Sequence, residues 1–218
     1  MSLNYNLSSI LKSVGAIVDQ EATLPTGSDL VQRIQFANDA LAEWADTYTW
    51  NELKQTIYVN PTDASTSSLA LPSNFRQPYS ALVKYNDDGS KTTYEVIKKE
   101  DRFSKLSSDN YCFISGTFGG KSLNIPNILP SGASLQMDYI SFASSLATLT
   151  DYSPISASQY LVKKVSGLVL QGRGDPRFPL ILSEAQRLLS NAIEEQNVPF
   201  GRVNRIPYTT GGMVLGEE

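Results

Sequence analysis

Between residues 7 and 18 the apolar side chains fall at Leu7, Ile10, Leu11, Val14, Ile17 and Val18, three or four positions apart. That spacing lines one face of a 3.6-residue turn and predicts a short amphipathic helix. "DQEATLPTGS" follows as a linker. Ser28 is then the expected N-cap of a second helix, with Asp29 in its first turn, where a carboxylate suits the positive end of the helix dipole. The second helix, from 28 to about 48, carries Leu30, Ile34, Ala37, Leu41, Trp44, Ala45 and Tyr48 on one face. Gln32, Arg33, Asn38, Asp39 and Glu43 lie on the other. Trp44 and Trp50 read as core anchors.

From Gln55 the period changes. "QTIYVN", "SSLALP", "YSALVKYN", "TTYEVI", "YCFIS", "KSLNIP" and "ASLQMDYISF" are short runs rich in β-branched and aromatic residues, separated by turn residues. "NDDGS", at 86–90, predicts a hairpin with Asp88-Gly89 in its middle. "KKEDRFSKL", at 98–106, predicts a helical turn or two between strands. The strands together form a small β-rich module of about residues 55–143. Helical spacing then returns. Tyr160, Leu161, Val165, Leu168 and Val169 make one stripe, with Lys163 and Lys164 outside it. Leu182, Ala185, Leu188, Leu189, Ala192 and Ile193 make the next. Two such helices joined by a short connection predict an antiparallel pair.

Their connection holds Arg173-Gly174-Asp175, a triplet that resembles the adhesion sequence bound by integrins. Its position gives it a structural use instead. Gly172 and Gly174 suit the end of one helix, and Pro176 and Pro179 suit the approach to the next. The segment "VPFGRVNRIPYTTGGMVLGEE" has neither period. It reads equally as a frayed tail or as an extended segment that docks on a partner, since Phe200, Ile206 and Tyr208 are spaced along it with Arg202 and Arg205 between.

The expected fold class is α+β: a helical bundle formed by N- and C-terminal helices, with an inserted small antiparallel β module and an extended C-terminal tail. The segments are 1–54, 55–145, 146–198 and 199–218.

Composition narrows the function. Eighteen basic against 22 acidic residues leave a net charge of −4, with no run of like charge, which argues against gripping nucleic acid through its phosphates. The chain has no histidine, which excludes Ser–His and Cys–His mechanisms. Its one cysteine, Cys112, lies in an apolar strand and reads as a small buried hydrophobe. "SGTFGGKS", at 115–122, echoes a phosphate loop. The glycine required five positions before Gly120 is Ser115, however, and strands flank the segment on both sides, so it predicts a hairpin. No acidic spacing suggests a metal site, and no pair of carboxylates stands out. The expectation is a protein that is not an enzyme, with no cofactor. No signal-peptide pattern or membrane-spanning run is present, so the expected place of synthesis is a cytoplasm.

The order of these pieces is familiar. A helix ends near "VGAIVD", and a longer one ends in "ANDALAEWADTYTWNEL". "LPSNFRQ" at 71–77 and "IPNILPSGASLQMDYI" at 125–140 follow, and then the final pair of helices. Over roughly residues 7–197 the chain resembles the head-to-tail adaptor (connector) proteins of tailed bacteriophages. The resemblance implies a virion protein at the head–tail junction, made in the bacterial host cytoplasm. It also implies a dodecameric ring of this chain beneath the portal protein, bound to a tail or nozzle protein, with DNA as passing cargo and no membrane. A C-terminal segment reaching onto the portal would place Phe200, Arg202, Arg205, Ile206 and Tyr208 in partner binding. The alternative is a receptor- or glycan-binding tail component.

Overall fold

The apolar spacing of the first segment yields α1, Leu7–Val18, with Leu7, Ile10, Leu11, Val14 and Val18 buried. The Asn6 side chain accepts a hydrogen bond from the Ser9 N–H at 2.9 Å. The N–H groups of Leu7 and Ser8 donate to the carbonyls of Asp151 and Leu149 at 2.8 and 3.0 Å. The donors that a helix start leaves free are thus taken up by the loop that precedes the third helix. A computed structural model describes residues 5–59, 67–86, 88–106, 108–126, 134–156 and 158–197 of the chain.

The second helix, α2, spans Gly27–Thr47. Its N-cap is Thr26, which makes no side-chain cap bond, and not the expected Ser28. Gly27 takes a left-handed φ of +60° and swings the chain into the helix, so Ser28 falls inside the first turn. The helices α3, Ser158–Gly172, and α4, Phe178–Asn197, pack along each other. The middle helix of the layer is α3, in contact with α1, α2 and α4 and buried through Tyr160, Leu161, Val162, Val165, Ser166, Gly167, Val169 and Leu170. Lys163 reaches Glu184 of α4 at 2.6 Å and Lys164 reaches Glu43 of α2 at 2.8 Å, both from outside the apolar stripe.

The β strands are β1 (Lys54–Val59), β2 (Ser68–Ala70), β3 (Phe75–Pro78), β4 (Leu82–Tyr85), β5 (Lys91–Ile97), β6 (Tyr111–Ser115), β7 (Ser122–Asn124) and β8 (Ser134–Ser141). Here the expected architecture is overturned. The chain is α+β, but it is not a helical bundle with a small antiparallel insert. Among the described residues one mixed sheet of eight strands, curled into a half-barrel, stands beside four α-helices. The strand order is β1-β8-β4-β5-β6-β7-β2, with β3 also paired to β8.

Two features make the difference. The last strand, β8, is a spine. One edge pairs β1 along Leu135–Ile140, and the other takes β4 over Ser134–Gln136 and β3 over Tyr139–Ser141. Strands that read as separate hairpins along the chain are thereby drawn into a single sheet. The second feature is the parallel pairing of β5 with β6. A parallel pair needs a crossover, and the short 3-10 helix Glu100–Ser104, expected as a helical turn, lies within it.

Two apolar cores result. One joins the four helices with Trp50, Leu53, Ile140, Leu146 and Ile155. The other fills the curl of the sheet with Leu69, Phe75, Leu82, Tyr94, Cys112, Leu123, Ile125, Leu135 and Met137. Trp44 and Trp50 stack at 3.7 Å, and Trp50 Nε1 donates to the Trp44 carbonyl at 2.6 Å, so both are the core anchors their sequence context suggests. Among the described residues no helix is long and apolar enough to cross a membrane.

Candidate functional site

The loop between α3 and α4 is built by local hydrogen bonds. The Asp175 N–H donates to the Leu170 carbonyl at 3.0 Å and the Gly174 N–H to that of Gln171 at 3.1 Å. With Gly174 at φ +68°, this is a Schellman ending, which favours a left-handed glycine at that position. Both charged members of the Arg-Gly-Asp triplet are engaged within the chain. Arg173 Nη1 meets Asp19 Oδ1 at 2.6 Å, and Asp175 Oδ2 meets Arg177 Nη2 at 2.8 Å. Asp19 also receives Arg33 Nη2 at 2.7 Å. The end of α1, the start of α2 and the α3–α4 turn are clamped together there.

This cluster revises one reading of α2. Arg33 and Asn38 were expected on its solvent face. Arg33 is only 3% exposed, and the Asn38 side chain pairs with both the N–H and the carbonyl of Leu146, at 2.8 and 2.9 Å. Arg33 lies four residues before Ala37 and extends the buried stripe, so the spacing held the signal, but its charge pointed outward. Burial pushes the Asp19 carboxyl up, while hydrogen bonds from Arg173 and Arg33 outweigh it and leave the group below its usual value. Hydrogen bonds from Arg177 hold Asp175 down, to about 2.

The glycine-rich segment at 115–122 joins β6 to β7 as a hairpin, with Gly116 and Gly119 left-handed. Lys121 turns inward and donates to the carbonyls of Arg76 at 2.8 Å and Phe75 at 3.4 Å. Its ammonium is committed to backbone. In the hairpin at 86–90, Asp88 Oδ1 accepts from the Ser90 N–H and hydroxyl, a backbone use of the carboxylate. Cys112 is fully buried, and burial pushes its thiol up to about 12. Among the described residues no group of three or more His, Cys, Asp or Glu is placed to hold a metal ion.

A concave surface of apolar character lies where the helices meet the sheet. Arg76 of β3 donates through Nη1 to the Ala45 carbonyl at 2.8 Å, and its Nη2 meets Asp46 Oδ1 at 2.8 Å. A free carbonyl in the last turn of a helix is a favourable partner for a cation. On one side of this pair lies a cleft of about 280 Å³ lined by Asn38, Leu41, Ala42, Ala45, Phe142 and Ala143. On the other a cleft of about 450 Å³ is lined by Thr47, Tyr48, Thr49, Gln77 and Ile140. No sequence signal marked it. Its walls come from α2, β3 and the segment after β8, which only the fold brings together. The expected partner-binding residues Phe200, Arg202, Arg205, Ile206 and Tyr208 lie outside the described residues.

Compared with family models and with curated proteins, the chain finds no match.

Proposed function

We propose that the chain is a structural subunit of a tailed-phage virion, a head-to-tail adaptor that forms a ring beneath the portal, extends the DNA channel and receives the tail. The reading rests on the order and spacing of the sequence pieces that resemble that family. One structural observation supports it. Large apolar side chains are exposed on both layers: Val31, Tyr152 and Leu180 by the helices, and Tyr58, Tyr79, Phe103, Leu106 and Phe118 by the sheet. A ring subunit meets its two neighbours through two different surfaces, so it needs apolar anchors on more than one side. The net charge of −4 suits a channel that DNA passes without being held.

Immunogold labelling of intact virions and of tails detached from capsids tests this. Label at the head–tail junction is the expected result, and unlabelled particles overturn the proposal. The exposed aromatic rings by the sheet favour a second reading, a receptor- or glycan-binding tail component, for which label at fibre tips is the signature.

A further inference from the structure

The sheet face that points away from the curl carries a cleft of about 370 Å³, within the ~300–1,000 Å³ that small-molecule sites take. Tyr111 and Phe113 of β6 share that face, because strand side chains alternate and Cys112 between them is buried in the sheet core. Asn124 of β7 stands opposite Phe113 in the antiparallel register and so joins them. The crossover from β5 to β6 lays Arg102 on the same face. Its guanidinium sits over the Phe113 ring at 5.4 Å and over the Phe103 ring at 4.4 Å. Those two rings are its contacts: among the described residues no hydrogen bond or ion pair engages the Arg102 guanidinium, and its N–H donors are free. The neighbouring Lys105, by contrast, is spent on Glu95 at 2.7 Å.

We propose that this cleft binds a carboxylate carried on a hydroxylated ring, that is, an acidic sugar. The guanidinium is the carboxylate's partner. Its planar fork matches two carboxylate oxygens, and the flanking rings hold the fork in place without using a donor. Arg102 is the one charged residue in the lining, so the complementary ligand charge is single. A phosphate monoester carries nearly two at neutral pH and would call for a second cation. The other polar groups decide what bears the carboxylate. Asn124 Nδ2 already donates to Ser115 Oγ at 2.7 Å and to the Ser122 carbonyl at 3.2 Å, so the atom it offers the cleft is Oδ1, an acceptor. An acceptor repels a bare anion and suits a hydroxyl, and the Ser67 side chain in the lining is a second hydroxyl partner. The Tyr111 ring supplies an apolar surface for the ring of the ligand. This gives the glycan-binding reading a site but stands on the cleft alone, whether or not the chain belongs to a virion.

Titration of the full chain with glucuronate, followed through its amide NMR shifts, tests the proposal, with glucose and inorganic phosphate as controls. Glucuronate should move the amides of Tyr111, Phe113 and Asn124 and bind at least about 10-fold tighter than either control, the factor that one charge-assisted contact is worth. Arg102→Gln removes no hydrogen bond of the fold. It should weaken glucuronate by about 10-fold and leave the rest of the spectrum in place. Arg102→Lys should restore only part of the affinity, because an ammonium keeps the charge but lacks the fork. The absence of saturable shifts with glucuronate overturns the proposal, as does equal binding of glucose or of phosphate. Binding that Arg102→Gln leaves intact also overturns it, since the carboxylate would then sit elsewhere.

Discussion

Asp19 carries more of the fold than its place in a linker suggests. It neutralises Arg33, which is 3% exposed, and also meets Arg173 from the α3–α4 turn. Its carboxyl lies below the 3.8 of an unperturbed aspartate. A group with a depressed folded value stabilises above its unfolded value, and that contribution is lost as pH falls through the folded one. The melting temperature should therefore drop on acidification below 3.8. Asp19→Asn should cost about 1–3 kcal/mol at neutral pH and flatten the acid limb of the stability curve. Asp175, held down to about 2 by Arg177, should contribute in the same direction. Cys112 makes an independent check of burial: with its thiol pushed up to about 12, it should resist an aromatic disulfide reagent at neutral pH until the protein is unfolded. That this cysteine is buried was legible from "YCFIS". The burial of Arg33 was not, because residue type and helical spacing disagreed and only the position of Asp19 decided between them.

At the scale of elements, two glycines carry different constraints. Gly174 needs its left-handed φ of +68° to close the Schellman turn, so Gly174→Ala should cost about 1–2 kcal/mol in denaturant unfolding. Gly15 has ordinary backbone but no room. A Cβ there would stand 2.7 Å from the Glu21 carbonyl oxygen and 2.9 Å from that of Thr23. Both obstacles are backbone, so Gly15→Ala should cost about 1–3 kcal/mol by forcing α1 away from the linker that follows it. The four helices were legible from their stripes, since an amphipathic stripe is a local property, but the start of α3 at Ser158 and the N-cap of α2 were not. Seven of the strands were legible on the same ground. The missing one, β3, is short, ends in Pro78 and has one fully buried side chain, Phe75, and so shows no period.

In the whole molecule, polar contacts add to the apolar packing of Ile140 in joining the helical core to the sheet. Arg76 ties β3 to the end of α2, and the Ser141 hydroxyl of β8 donates to the Leu53 carbonyl at 3.1 Å. Arg76→Ala removes both a carbonyl bond and an ion pair, so it should lower stability by about 1–3 kcal/mol, whereas Asp46→Ala should change it by less than about 1 kcal/mol, because that carboxylate is largely exposed. Chemical unfolding of the two variants checks the ranking. By itself the sequence determined the helices, most strands, the glycine-built turns and the exclusion of histidine chemistry, all of which follow from residue type and from periods a few residues long. The tertiary structure alone decided that β8 gathers three partners, that β5 and β6 run parallel and that one curled sheet replaces a small insert. It alone built the cleft beside Arg76. Strand pairing depends on residues far apart in the chain, such as Lys54 opposite Ile140, and local periodicity carries no record of which edge meets which.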